Sequence, residues 1–385
     1  MRKKAVLAAL CLMMLLILSG CWNYRSLSDL AIVAGMAVDM DTVSGDYRLV
    51  CETVDLSGDV KSGLKPKIIE ATGKTIFDAS RNAKKRLQKR LYFGNIQIVL
   101  ISEELAKSGH LAHLLDWFLR DAELRETAYI LVSQAKTAAD ILNTKGVDNS
   151  IISFEIGTIL MDDQTTTSSI PSHMLYEIYD TLHTEGVSLV LPAFHIVNNN
   201  ATPSAEANGT AVFKGENLLG YLSPEESKYL LFVLNEANGG VLTLSDTGEG
   251  PDDISLEISE NKTKLSFSVK DQKLIFEVNT ETRVYLSEDA KALNALDKEK
   301  IASLEAAAGA KLEQSIGEVI KRVQTEYRSD IFGFGDMIHK RDGKLWSSIS
   351  KYWDDLFPTL EVVVHSKINI VNTFYLKDTT REGSK

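Results

Sequence analysis

Residues 297–327 read DKEKIASLEAAAGAKLEQSIGEVIKRVQTEY. Ile301, Leu304, Ala308, Leu312, Ile316, Val319, Ile320, Val323 and Tyr327 recur at steps of three and four, so one long helix carries them as a single apolar stripe. Such a stripe meets either a partner helix in a coiled coil or the face of a sheet. The flanking positions show no regular pairing of opposite charges, which a coiled coil uses to choose its partner. The stripe is therefore expected to lie on a sheet, with Glu313, one step round from Leu312, on the solvent side. Residues 264–269 and 274–285, just upstream, alternate polar and apolar side chains, the period of antiparallel strands covered on one face. Residues 360–375, downstream, alternate in the same way and are expected to add another strand pair. The expected class is α+β, multidomain, with mixed sheets and flanking helices, and a C-terminal antiparallel sheet packed on the long helix.

Toward the N-terminus the pattern changes. Residues 31–38 and 47–54 read as strands joined by the polar turn 39–46, which contains Gly45. Asp39 and Asp41 are spaced like the first ligands of a calcium loop, but the later ligand positions are missing, so the turn reads as a solvated hairpin. Residues 68–71 are extended. Thr75 then opens a helix as its cap, answered by Asp78 three residues on. That helix is expected to carry Lys84, Lys85, Arg86, Lys89 and Arg90. The run suits phosphate or lipid headgroups, but it reads first as the solvated face of an amphipathic helix. Residues 96–101 form an apolar run of strand length. Ser102-Glu103-Glu104 opens a helix expected to continue through Leu111, Leu114, Leu115 and Phe118, and residues 127–132 are again a strand. Alternation of this kind predicts a mixed or partly parallel sheet with helices against it. A polar loop over 164–169, a helix over 174–182 and a strand over 188–196 follow.

Residues 198–208, rich in Asn, Ala, Ser and Pro, mark the first expected domain boundary. Beyond them, 210–213 and 218–221 suggest a hairpin around Lys214-Gly215-Glu216-Asn217. Ser223-Pro224-Glu225-Glu226 starts a helix, with a cap, a proline in the first turn and acids at the positive helix end. Residues 245–253 are a second linker. The expected layout is a signal peptide over 1–20, an N-terminal α/β-type domain over 21–200, a middle hairpin–helix region over 208–250, and the C-terminal sheet and long helix over 255–376.

The chain opens with Arg2, Lys3 and Lys4, then an unbroken apolar run over 5–18 that is short for a permanent bilayer span. This is the plan of a secretory signal peptide. The run ends Leu18-Ser19-Gly20-Cys21, where small residues admit a peptidase and the cysteine supplies a thiol for lipid. The alternative is an uncleaved anchor helix with an incidental cysteine, and the basic start, apolar run and final cysteine together favour cleavage and lipid attachment at Cys21. Of the three cysteines, Cys11 leaves with the signal peptide and Cys21 is lipidated, so Cys51 remains and the mature chain has no internal disulfide. Cys51 sits in the alternating run Tyr47-Arg48-Leu49-Val50-Cys51 and reads as a small core residue.

At 44% hydrophobic and 25% charged, the 385 residues have the composition of a folded chain of two or three domains. A net charge of -11 disfavours nucleic acid as a partner and a generally basic membrane-binding surface. Attachment is then expected through acyl chains, of which two give stable anchoring. No HExxH, paired CxxC, Walker loop or nucleophile elbow is present. His110 and His113 share a helix face but have no evident third ligand, so they read as a surface pair rather than a metal site. No catalytic, cofactor or metal residue is assigned. His339 reads equally as a packing or an interface residue. Gly333 and Gly335 are expected at a turn or a close backbone approach, and Phe332, Phe334, Trp346 and Trp353 to anchor their segment on a core.

Several motifs together resemble the C subunits of spore germinant receptors, the Ger(x)C lipoprotein family. They are Cys21-Trp22-Asn23-Tyr24-Arg25-Ser26-Leu27 with Asp29-Leu30-Ala31-Ile32-Val33-Ala34-Gly35, then Gly94-Asn95-Ile96-Gln97, Phe118-Leu119-Arg120-Asp121, Ala211-Val212-Phe213-Lys214-Gly215 and Gly220-Tyr221-Leu222. The most specific is Asp330-Ile331-Phe332-Gly333-Phe334-Gly335, followed by Ile338-His339, Leu345-Trp346, Trp353 and Phe357-Pro358. Ser26 stands where the family often has an acid, and the family's basic pair near the last strand is absent. The resemblance implies a three-domain α+β fold, an endospore-forming source, the spore inner membrane, and a complex with two integral membrane subunits of A and B type. It implies a lipid-anchored, non-catalytic receptor subunit required for nutrient-triggered germination. The rivals are a substrate-binding lipoprotein feeding a transporter, which would need a cleft between two similar lobes, and an extracytoplasmic hydrolase, which would need a carboxylate pair in a cleft.

Overall fold

The computed structural model describes residues 3–4, 26, 29–56, 64–120, 124–147, 150–244, 254–271, 273–289 and 298–372. The expected linker at 245–253 and the signal peptide beyond Lys3 and Lys4 lie outside them. β1 (Leu30–Met40), β2 (Tyr47–Asp55) and β3 (Lys65–Gly73) form an antiparallel meander. α1 (Ile76–Asn82), a short β4 (Arg90–Tyr92), β5 (Ile98–Ser102), α2 (Glu103–Lys107), α3 (Leu111–Arg120), β6 (Tyr129–Ser133), α4 (Ala138–Leu142), α5 (Ile152–Thr166) and α6 (Leu175–Leu182) follow. β7 (Val190–Asn199), β8 (Thr202–Lys214) and β9 (Asn217–Leu222) complete one nine-stranded sheet, ordered β3-β2-β1-β5-β6-β7-β8-β9 with β4 beside β1. β1, β5, β6 and β7 run parallel at its centre, and every residue of β5 and β6 is buried, as a parallel strand covered on both faces requires. Ile76, Leu105, Leu114 and Ile178, from α1, α2, α3 and α6, fill one core. Ala138, Leu142, Ile156 and Leu160, from α4 and α5, belong to another.

The second body consists of α7 (Pro224–Leu234), β10 (Val241–Leu244), β11 (Ile254–Lys270), β12 (Lys273–Asp289), α8 (Lys298–Arg322), α9 (Phe334–Arg341), α10 (Gly343–Ile349), α11 (Trp353–Leu356) and β13 (Glu361–Asn372). Its sheet runs β10-β11-β12-β13. The stripe of α8 buries Leu304, Ala308, Leu312, Ile316, Val319 and Ile320 against Phe276, Val278 and Val284 of β12. The α+β class and the sheet packed on a long helix are as expected.

Several details differ from the sequence reading, each for a physical reason. The residues at 198–208 do not break the first sheet. They form the β7–β8 hairpin, whose two-residue turn, Asn200-Ala201, takes positive φ at both positions (49° and 64°), as a primed turn requires. The middle region 208–250 is divided: β8 and β9 join the first sheet, while α7 buries Leu230, Phe232 and Val233 in the second core. The helix after Thr75 ends at Asn82, so all five expected cations lie beyond it: Lys84 and Lys85 in a tight turn, Arg86 at its end, Lys89 after it and Arg90 in β4. The helix after Ser102 is two helices, parted at Gly109 with φ +72°. Helix α5 continues to Thr166, into the expected polar loop. Residues 361–372 form one strand, not a pair, and it runs parallel to β12. That pairing is a crossover of β12, α8 and β13, whose direction depends on where the helix packs and not on alternation within the strand.

Glu313 is also not on the solvent side. β13 is the free edge of its sheet, and α8 runs beside it. Glu313 Oε1 accepts from Ser366 N at 2.8 Å and Glu305 Oε1 accepts from Ile370 N at 2.8 Å. Gly309, between them, lets the helix close in, since a Cβ there would lie 2.8 Å from Ser366 O. Two of the edge N–H groups that invite another strand, those of Ser366 and Ile370, are thus occupied by glutamates.

Candidate functional site

The first candidate region is where the chain enters the fold. Cys21 lies outside the described residues. Asp29 N donates to Ser26 O at 3.0 Å, and β1 begins one residue later. Leu30 is paired in register with Arg90 of β4, so the chain enters beside the basic segment.

The second region is the seam between the two bodies, built by the segment after α8. A π-type turn over Val323–Tyr327 ends that helix. Tyr327 Oη donates to Tyr221 O at 2.8 Å, and its ring lies where a side chain on Gly220 would clash. Arg322 pairs with Glu226 of α7, within the second body. Ser329 Oγ donates to Phe213 O at 2.7 Å. Ser188 N donates to Asp330 O at 2.7 Å and Asp336 N to Gly186 O at 2.9 Å. Gly335 and Gly186 are in backbone contact: a Cβ on Gly335 would sit 2.7 Å from Gly186 Cα. Gly333 takes φ +72° to start α9. Trp346 Nε1 donates to Glu185 Oε2 at 2.8 Å.

Asp330 organises that seam from inside. Its carboxylate is buried and accepts from Gly335 N at 2.8 Å, Phe332 N and Phe334 N at 3.2 Å, and Trp353 Nε1 at 3.1 Å. Burial pushes its pKa up to about 6, against the downward pull of those four donors. Phe334 stacks on Phe276 at 4.5 Å and on Phe332 at 5.3 Å, with Phe357 beyond, so the aromatic run is the expected core anchor. His339 is exposed and stacks on Trp346 at 5.7 Å. Sequence reasoning quoted the motif but missed Asp330 as its organiser. A lone acid ahead of two glycines in an aromatic run was the available signal.

The other buried acids hold backbone. Asp39 accepts from Ala138 N and Ala139 N at the start of α4, and Glu52 accepts from Ile152 N, Ser153 N and Ser153 Oγ at the start of α5. Burial raises the pKa of both, opposed by those bonds. Asp41 Oδ1 accepts from Val43 N and Ser44 N within its turn. Cys51 is buried and its thiol is pushed up to about 12 by desolvation, which leaves no thiolate at neutral pH. His110 and His113 lie 5.3 Å apart, ring to ring, in a cleft with Asp116, Trp117 and Arg120. Among the described residues, no group of three or more His, Cys, Asp or Glu could hold a metal.

The geometry defines a two-body α+β scaffold whose buried carboxylates serve structure and whose bodies are coupled by the seam after α8 and by further bonds such as Asn238 N to Gln164 O and Ser168 Oγ to Gly239 O. Residues 23–196 match the model described as spore germination protein N-terminal domain, and residues 208–374 the one described as spore germination B3/GerAC like, C-terminal. The chain belongs to the Ger(x)C family of spore germination proteins. It is 27% identical over 369 residues to spore germination protein B3 of Bacillus subtilis, covering 93% of this chain and 95% of that one. It is 26% identical to spore germination protein KC of the same organism, covering 97% of each chain. The crystal structure of the GerBC protein has the same fold, with a TM-score of 0.57 at 23% identity over 88% of this chain and 97% of that one.

Proposed function

We propose that this chain is a lipid-anchored, non-catalytic subunit of a spore germinant receptor, acting through assembly or signalling with two integral membrane subunits of A and B type. The reading rests chiefly on full-length similarity to relatives named as spore germination proteins, among them protein A3 at 24% identity. The sequence Leu18-Ser19-Gly20-Cys21 supports a diacylglyceryl anchor on Cys21. That anchor places the protein on the outer face of the cytoplasmic membrane, which becomes the spore inner membrane in the dormant spore. No helix of the described residues is long and apolar enough to cross a membrane, which is compatible with attachment by lipid. The transporter-feeding alternative calls for two similar lobes around a cleft, whereas the two sheets here differ in strand number and order.

Two measurements test the reading. Cys21→Ala is expected to move the protein out of the membrane fraction or leave it as precursor, because the acidic surface offers no equal attachment. Deletion of the gene is expected to abolish germination through its receptor and leave the spores otherwise intact. Unchanged membrane association of a correctly processed Cys21→Ala protein, resistant to high salt and released only by detergent, or saturable binding of amino acids or sugars by the purified chain, would overturn the anchor or the non-capturing role respectively.

A further inference from the structure

Residues 81–90 carry six cations, Arg81, Lys84, Lys85, Arg86, Lys89 and Arg90, and no acid, in a chain whose net charge is -11. They are not one helix face. α1 stops at Asn82, a tight turn over Ala83–Lys85 follows, and the chain then bends into β4. The bend wraps Arg81, Lys84, Lys89 and Arg90 around an open groove of about 730 Å³, with Asp29 the one acid among its described lining residues. Arg81, Lys84, Lys85 and Arg86 are exposed. Among the described residues, no carboxylate forms an ion pair with Arg81, Lys84, Lys85 or Lys89. The Arg81 guanidinium sits 4.6 Å over the ring of Phe77, itself half exposed.

The position of this groove gives the charge its meaning. Leu30, Ala31 and Ile32 pair with Arg90, Leu91 and Tyr92, so the chain leaves the fold beside the groove. Cys21 is nine residues before Leu30, and nine extended residues span about 30 Å at most. A lipid on Cys21 therefore holds the membrane surface within reach of these cations.

We propose that this basic end docks on anionic phospholipid headgroups and so sets the orientation of the anchored protein. The proposal rests on lipid attachment at Cys21. Two acyl chains suffice to hold the protein, but an attachment at a single residue does not by itself fix which face of the domain meets the membrane. Each cation close to an anionic leaflet favours contact roughly fivefold, while the acidic remainder of the surface is repelled. An open, exposed face of spread charges suits a lipid surface better than one phosphate ion.

The test uses the processed protein with Gln88→Cys as the label site, since Cys51 is buried and Cys21 is lipidated. The labelled protein is reconstituted into phosphatidylcholine vesicles with and without phosphatidylglycerol, each containing brominated lipid as quencher. Quenching is expected to be several-fold stronger with phosphatidylglycerol, and to fall toward the neutral-lipid value in high salt and in the Lys84→Glu, Lys85→Glu, Lys89→Glu variant. An unchanged thermal midpoint of that variant shows that it is folded. Equal quenching in both lipids, unaffected by charge reversal, overturns the proposal. Loss of quenching on adding inorganic phosphate at constant ionic strength also overturns it, because it assigns the groove to the free ion. The mass of the N-terminal peptide reports the anchor separately. If Cys21 carries no lipid, the anchor reading falls alone. Flotation with phosphatidylglycerol vesicles that charge reversal abolishes then still supports the docking face, and absence of flotation overturns it.

Discussion

The two sheets use carboxylates in opposite directions. In the N-terminal sheet, acids on strands hold helices: Asp39 of β1 caps α4 and Glu52 of β2 caps α5. In the C-terminal sheet, acids on a helix hold a strand: Glu305 and Glu313 of α8 cap the free edge of β13. The broad sheet has both faces to cover with short helices, whose first N–H groups need partners. The narrow sheet has a single long helix and an exposed edge, whose outward N–H groups need partners. Asp330, between them, caps neither, and binds its own loop into the seam.

If apolar burial dominates the C-terminal body, the largest effect comes from its stripe. Leu312→Ala, at a fully buried site, is expected to cost roughly 2–5 kcal/mol in denaturant unfolding. A cost close to that of Glu313→Ala would mean that the edge bonds, not the stripe, hold the helix.

Asp330 separates the seam from both bodies through its pH dependence. Its folded pKa of about 6 lies above the ordinary 3.8, so the stability linked to it is fully present below about 3.8 and is lost as pH rises through about 6. The two-unit difference corresponds to about 3 kcal/mol of pH-dependent stability. Asp330→Asn is expected to remove that part of the profile between pH 4 and 6. The same slope in wild type and variant would show that the acid does not titrate across folding.

The strand-held helix should then be more sensitive than the helix-held strand. Glu52→Ala strands buried donors, at about 1–3 kcal/mol for each unsatisfied group. Glu313→Ala leaves Ser366 N half-buried and near water, so about 1 kcal/mol is expected. Thermal unfolding of the two variants ranks them, and a larger loss for Glu313→Ala would reverse the comparison. The smallest effect is the last: Cys51 is buried and unbridged, so the thermal midpoint of the mature protein should be the same with and without reductant. A lowered midpoint on reduction would reveal a bridge between chains.

The local signals were legible. Thr75 capping at Asp78, the Ser223–Glu226 capping box and the α8 stripe all connect residues within a few positions of one another, so periodicity and cap chemistry find them. The motif at 330–335 was visible as a motif, but its role was not, because Asp330 and Gly335 act on partners such as Gly186 that are distant in the chain.

The sequence by itself determined the α+β class, the helix and most strands, the lack of a disulfide pair in the expected mature chain, and the motifs that mark the family. These depend on short-range pattern and composition. Only the tertiary structure decided the parallel entry of β13, the division of residues 208–250 between two bodies, and the work of the buried acids. Asp39 meets Ala138 across 99 residues, Glu52 meets Ser153 across 101 and Glu313 meets Ser366 across 53. Bonds of that span leave no periodic trace along the chain. A carboxylate on a strand reads as solvated until the helix whose N–H groups it accepts has been brought to it.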